Sequence, residues 1–144
     1  MPLAFRNVDA RPEDSVGTWP TEAVRAALER GELGDWRRLV DQFRTDPWGR
    51  TARQIEEVLS HSRPYGVAEL IEATLYQARR DAEAAERSAV AAELLELVSR
   101  SGLTQAAFAA RMGTSASRFS TYVNGGVTPS AALIVRARGI ARSD

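Results

Sequence analysis

The chain lacks cysteine and lysine altogether and has a single histidine among its 144 residues. Without cysteine it can form neither a disulfide framework nor a thiolate metal site. Its one histidine, His61, excludes a site built from several histidines, and a predicted helix end favours a surface or capping role for it. A P-loop needs a lysine after a glycine-rich loop, and the chain has neither. We therefore expect no metal, no cofactor and no enzymatic activity.

Long hydrophobic runs are missing as well. No stretch approaches the ~20 apolar residues of a membrane-spanning helix. The first residues, MPLAFRNVDARPEDSVG, lack the basic-then-apolar order of a secretory signal. With 44% hydrophobic and 26% charged residues, the chain has enough apolar side chains for one core or two small ones. We expect a soluble, cytoplasmic protein with no membrane contact.

Charge is unevenly distributed along the chain. Residues 101–144 contain five arginines and one acid, Asp144. Because the net charge of the whole chain is zero, the first hundred residues carry the compensating negative charge. Such an asymmetry is what an acidic partner of the C-terminal part would require.

Helical spacing of apolar residues recurs through the chain, and no strand-like alternation of useful length appears, which predicts an all-α fold. A short helix is predicted over residues 21–30, and two further helices follow before residue 62. Residues 1–18 have no periodicity and predict a flexible N-terminal arm. Three tryptophans are predicted core anchors, with an exposed partner-binding patch as the alternative: Trp19, Trp36 and Trp48.

Residues 67–100 contain neither glycine nor proline and are rich in strong helix formers. Apolar faces at the two ends of this stretch are separated by the segment ARRDAEAAERSA, which offers only alanines for burial. Either one long helix bridges two packed units, or the chain breaks near residues 81–87. We place a domain boundary here, between a helical domain over 19–84, for dimerisation or partner binding, and a second domain over 85–144.

The run LTQAAFAARMGTSASRFSTYVNGGVTPS, residues 103–130, predicts two short helices joined by a tight turn. Thr104 can cap the first helix, which ends at Gly113. Ser115 can cap the second, predicted over residues 115–124, which ends at Asn124-Gly125-Gly126. A final helix is predicted after Ser130.

The second of these helices has two unlike faces. Phe119, Tyr122 and Val123 stand at i, i+3 and i+4 and line one face, while the rest of the helix has small polar residues, one arginine and no acid. A thin helix suits a major groove about 12 Å wide. Phosphates would repel acidic residues there, which accounts for their absence.

These residues resemble the helix-turn-helix of the Cro/C1 repressor family, also called the XRE family. The resemblance spans roughly residues 88–141 and implies a lambda-repressor-like domain that binds double-stranded DNA. It is carried by the following residues, with Phe108 in place of the usual leucine: Leu103, Thr104, Gln105, Phe108, Ala109, Gly113, Ser115, Asn124, Gly125, Pro129 and Ser130.

The resemblance implies roles for individual residues. Gln105 would hold a phosphate and buttress base contacts. Ala116, Ser117 and Thr121 would face base edges, and Arg118 would reach a phosphate or a guanine. The complete implied DNA-binding set is Gln105, Ser115, Ala116, Ser117, Arg118, Thr121 and Asn124.

Two departures from the family pattern reduce the expected contacts. Ala116 and Ser117 replace longer amide side chains, and Gly126 stands where a basic residue is frequent. Binding would then depend on a second subunit or on further arginines. Three arginines of the last helix are either phosphate contacts or a solvated face: Arg136, Arg138 and Arg142.

Two functions are consistent with this sequence. In the first, the protein is a sequence-specific, repressor-like transcriptional regulator that binds an operator as a homodimer. In the second, it is an antitoxin-like protein whose N-terminal domain binds a protein partner, a toxin, while DNA binding serves autoregulation. A toxin-like reading frame beside the gene would favour the second.

Overall fold

The computed structural model describes residues 2–143, and over that range it contains seven α-helices, one short 3-10 helix and no strand. The predicted all-α fold is therefore confirmed. No helix in the described range combines the length and apolar character that crossing a membrane requires. The helices are α1 (Thr21–Arg30), α2 (Leu33–Thr45), α3 (Arg50–His61), α4 (Val67–Ser101), α5 (Gln105–Met112), α6 (Ala116–Val123) and α7 (Ala131–Arg142), with the 3-10 helix at Val16–Thr18.

Residue contacts divide the chain into a first unit that ends at Ala82 and a second unit that begins at Glu83. Of the two alternatives for the stretch after residue 66, the structure has the long helix, because α4 extends without interruption over Val67–Ser101. The alanines and glutamates of its middle section bury little, but they are strong helix formers and sustain the helix without a core beneath them.

The core of the first unit is built around Trp19, which is completely buried. The 3-10 helix before Trp19 packs against α2 and α3, and Trp19 belongs to one buried cluster with residues of α1, α2, α3 and the beginning of α4. The largest other fully buried side chains of this unit are Phe43, Leu28, Leu39, Ile55, Ile71 and Val24.

The predicted N-terminal arm has no regular structure before Val16, yet it contacts this core. Leu3, Phe5 and Val8 are half-buried against it, and the ring centroids of Phe5 and Trp19 lie 5.1 Å apart in an edge-to-face arrangement. Isolated apolar residues without periodicity gave no signal for this packing. Met1, the first residue of the predicted arm, lies outside the described residues.

The tryptophan prediction is wrong for one of its three residues. Trp19 is buried, and Trp36 is half-buried, with its indole Nε1 donating to the carbonyl of Ala27 at 2.9 Å. Trp48 is 46% exposed. It lies in the turn between α2 and α3, directly after Pro47.

The second unit has its own core, formed by the last part of α4 together with α5, α6 and α7. Of the three residues predicted to line one face of the second short helix, Phe119 and Tyr122 are buried in this core and Val123 is half-buried against it. The buried members are Leu94, Leu97, Phe108, Ala109, Met112, Phe119, Tyr122, Ala137, Ile140 and Ala141. Asp144, at the end of the predicted second domain, lies outside the described residues.

Candidate nucleic-acid interface

The turn between α5 and α6 has the local chemistry that its sequence predicts. Thr104 Oγ1 accepts a hydrogen bond from the amide of Ala107 at 3.2 Å and caps α5. Ser115 Oγ accepts from the amide of Arg118 at 3.0 Å and caps α6. Between them Gly113 adopts a φ of 83°, a left-handed conformation that glycine takes at little cost. The capping predictions for Thr104 and Ser115 are confirmed.

The inner face of α6 is fixed by packing. Phe119 and Tyr122 are 1% and 5% exposed, and the Phe119 ring lies 5.9 Å from that of Phe108 on α5. Because these aromatic side chains hold the helix against the core, the opposite face is left to solvent in a defined orientation. The structure thus presents α6 as an amphipathic helix at the surface of the second unit.

The seven predicted DNA-binding residues are all exposed. Six of them share the outer side of α6 and its two caps, and the seventh is the first residue of α5. They are Gln105, Ser115, Ala116, Ser117, Arg118, Thr121 and Asn124. Exposure makes them available for contact, and their individual roles stay predictions.

Three of these side chains already make local hydrogen bonds, which limits what each can offer to a ligand. The Thr121 hydroxyl donates to the carbonyl of Arg118 at 2.6 Å, so its oxygen is left as an acceptor. Asn124 Oδ1 accepts from the amide of Gly126 at 2.9 Å, so its NH₂ group is left as a donor. The Ser115 oxygen accepts the capping bond and its hydrogen remains available to donate. A phosphate oxygen accepts hydrogen bonds, which suits Asn124 and Ser115.

Arg118 is the one cation on α6. Its guanidinium makes no ion pair or side-chain hydrogen bond with any residue between positions 2 and 143. No acid occurs between Glu96 and Asp144, so the only charged residues of α5, α6 and α7 are arginines. These three helices therefore contribute positive charge and no carboxylate that phosphate would repel.

The arginines of α7 differ in how far they are engaged within the protein. Arg138 forms an ion pair with Glu93 on α4, with Nε 2.7 Å from Oε1, and the hydrogen bond from this guanidinium lowers the pKa of the Glu93 carboxyl. Arg136 NH1 donates to the carbonyl of Met112 at the end of α5, at 3.1 Å. Arg142 Nε donates to the Arg138 carbonyl at 3.3 Å. Arg138 thus makes an ion pair within the protein, a role that neither predicted alternative, phosphate contact or solvated face, included.

Sequence reasoning missed Arg87. Its Nε donates to the carbonyl of Gly125 at 3.2 Å and thereby ties α4 to the turn that follows α6. The two residues are 38 positions apart, so no local spacing could reveal the contact. The only available signal was the turn itself, in which Gly125 has a φ of 78°.

A family model described as a helix-turn-helix domain matches residues 76–137. The match covers α5, α6 and most of α7, and it begins within α4, earlier than the resemblance to Cro/C1 repressors does. No curated protein and no solved structure matches the chain. Domains of this kind are typically DNA-binding regulators and not enzymes. The helix-turn-helix predicted for the C-terminal part of the chain is thus confirmed by a match over residues 76–137.

Proposed function

We propose that the protein is a sequence-specific transcriptional regulator of repressor type, acting in the cytoplasm, that inserts α6 into the major groove of operator DNA. The observation that carries this proposal is the outer face of α6. It combines an exposed, unpaired Arg118 with small polar side chains and no acid, on a helix whose inner face is locked by Phe119 and Tyr122.

The side chains of this face divide into two groups by the contact each can make. Ser117 and Thr121 can accept hydrogen bonds from base edges, and the methyl group of Ala116 can contact a thymine methyl. Arg118 and the amide of Gln105 suit phosphate, which positions the domain without reading sequence. Short side chains make few base contacts, so a single copy of α6 distinguishes one DNA sequence from another only weakly.

Because one copy of α6 distinguishes DNA sequences only weakly, we propose that the protein binds its operator as a homodimer. Two copies of α6 placed on half-sites ~34 Å apart would double the number of base contacts and require a repeated sequence with fixed spacing. We propose that the operator is such a two-part site and that two chains occupy it together. The antitoxin-like alternative stays a prediction that depends on a protein partner.

A salt series tests the proposal. Wild type, Arg118→Ala and Ser117→Ala are titrated with the DNA upstream of the gene and with a scrambled duplex at several salt concentrations. Specific binding by wild type should weaken steeply as salt rises, because bound arginines displace counterions. Arg118→Ala should make the slope of log K against log salt shallower by about 1 if it binds phosphate. Ser117→Ala should reduce preference for the operator with little change in that slope.

The matched control is Arg53→Ala, which removes an exposed arginine from α3 in the first unit. It should leave both slope and preference unchanged. If wild type binds the scrambled duplex as tightly as the upstream DNA, or if all four proteins give one slope and one preference, α6 does not read DNA.

A further inference from the structure

A groove of about 350 Å³ lies between α2 and α4 in the first unit. Its walls carry two large leucines, Leu33 and Leu70, each 54% exposed. The floor consists of the half-buried Trp36 and Val40 and the buried Ile71. Apolar surface of this kind, concentrated in one concavity, is typical of sites that bind other molecules.

The polar atoms near the floor are already satisfied within the protein. Trp36 Nε1 donates to the carbonyl of Ala27 at 2.9 Å, and Thr74 Oγ1 donates to the carbonyl of Leu70 at 2.7 Å. The groove therefore presents mainly carbon to an occupant. Apolar anchors would bind there through burial of surface, and a polar ligand would find few partners on the floor.

Charged residues form a regular row along the rim on α2. Arg37, Asp41 and Arg44 are exposed, line the groove, and make no side-chain contact with another charged group in the described part of the chain. They are four and three residues apart, so Arg37 and Arg44 lie about 10 Å apart along the helix axis. In chain order the three charges are positive, negative and positive, so their net charge is positive.

This order of charges decides between two occupants. If the α2 helices of two copies paired, parallel in register or antiparallel about Asp41, arginine would face arginine and aspartate would face aspartate. Pairing of two copies through α2 in either of these registers is thus disfavoured. A helix with the complementary order of charges is favoured instead, with apolar side chains at helical spacing directed at the two leucines.

We propose that this groove binds an amphipathic helix of another protein, whose apolar face packs between Leu33 and Leu70. Acidic, basic and acidic residues along its flank pair with Arg37, Asp41 and Arg44. The proposal goes beyond DNA binding and does not depend on it, because every residue that it uses belongs to the first unit.

A charge-reversal experiment on the full chain tests this groove. The probe is a fluorescent helical peptide of about 18 residues, with leucines at i, i+3 and i+7 and flanking Glu, Arg and Glu spaced to match α2, synthesised in both chain directions. A second peptide has Arg, Glu and Arg at the same positions. Anisotropy titrations compare wild type with the triple variant Arg37→Glu, Asp41→Arg, Arg44→Glu. Wild type should bind the first peptide about tenfold more tightly than the second, and the triple variant should reverse that preference.

Two further variants distinguish peptide binding in the groove from binding elsewhere on the protein surface. Leu70→Ser should weaken binding more than about tenfold, because an anchor contact is lost, while circular dichroism shows an intact fold. Arg53→Glu, on α3 outside the groove, should leave both peptide affinities unchanged. The proposal is overturned if wild type binds neither peptide or does not distinguish them. It is also overturned if wild type sediments as a dimer that Leu70→Ser dissociates, since the groove would then serve a second copy.

Discussion

At the scale of single residues, Ser115 combines a structural task with a proposed functional one. Its hydroxyl caps α6 by accepting from the amide of Arg118, and its position at the start of that helix would bring it close to a DNA phosphate. A carboxylate can replace the hydroxyl as a cap, but it would meet phosphate with a like charge. Two substitutions of one residue therefore separate stability from binding.

We expect Ser115→Ala to lower the free energy of unfolding of the second unit by about 1 kcal/mol, because the cap is lost. Ser115→Asp should keep the stability near that of wild type, since an acid at a helix N-terminus is favourable. It should nevertheless weaken DNA binding more than Ser115→Ala does. Urea unfolding followed by circular dichroism and DNA titration measure the two effects. If Ser115→Asp binds DNA as wild type does, the beginning of α6 does not face the phosphates.

Single residues also show how far sequence reasoning reaches. Thr104 and Ser115 were identifiable as caps because a cap and its amide partner lie three residues apart in the chain. The pairing of Arg138 with Glu93 was not, because the two lie 45 positions apart. Spacing within one helix predicts which side chains share a face, but it does not predict which faces meet. The positive charge of the α7 arginines could therefore be predicted from the sequence, but the residues that they contact could not.

At the scale of helices, Arg79 fastens α4 to α3 and to the turn before it. Its Nε donates to the carbonyl of Pro47 at 2.9 Å, and its NH2 lies 2.6 Å from Glu56 Oε1. The hydrogen bond from Arg79 lowers the pKa of the Glu56 carboxyl below its ordinary value. A depressed folded-state pKa means that the pair stabilises the fold above the ordinary pKa of glutamate, about 4.3, and that this contribution is lost as the pH falls through the folded value.

We expect Glu56→Gln to lower the stability of the first unit by at most about 1 kcal/mol at neutral pH, since the Glu56 side chain is 52% exposed and water screens the pair. The difference from wild type should narrow as the pH falls below about 4, where wild type protonates Glu56 as well. Tryptophan fluorescence during urea unfolding at several pH values measures this difference in the free energy of unfolding. The control, Glu57→Gln, changes an exposed neighbour with no ion pair in the described residues. A difference that stays constant down to pH 3 would contradict the assignment.

The helices themselves were largely predictable, and the exceptions have physical causes. The bounds predicted for α1 agree with the structure because Pro20 and Gly31 stand on either side of it. The continuity of α4 was left open because burial and helix propensity disagree in its alanine-rich middle. Trp48 was wrongly predicted to be buried because that prediction rested on the size of the side chain and not on its position in the turn between α2 and α3.

At the scale of the whole molecule, the two units have separate hydrophobic cores, and their aromatic residues allow the cores to be observed separately. Every tryptophan of the chain lies between residues 19 and 48, within the first unit. Tryptophan fluorescence therefore reports on the first unit, while helix content and DNA binding include the second. Leu94 is completely buried in the second core and Leu28 in the first, so truncation of each creates a cavity in one core only.

We expect Leu94→Ala to destabilise the second unit by about 2–5 kcal/mol, because it removes a buried side chain and leaves a cavity. DNA binding and part of the helical signal should then be lost at lower urea concentration, while the tryptophan transition stays near its wild-type midpoint. Leu28→Ala is the reciprocal control, since it should shift the tryptophan transition by a comparable amount and spare the second unit. If both variants move both transitions together, α4 couples the units into one cooperative fold, and a partner bound in the groove of the first unit would gain a physical route to the stability of the helix-turn-helix domain.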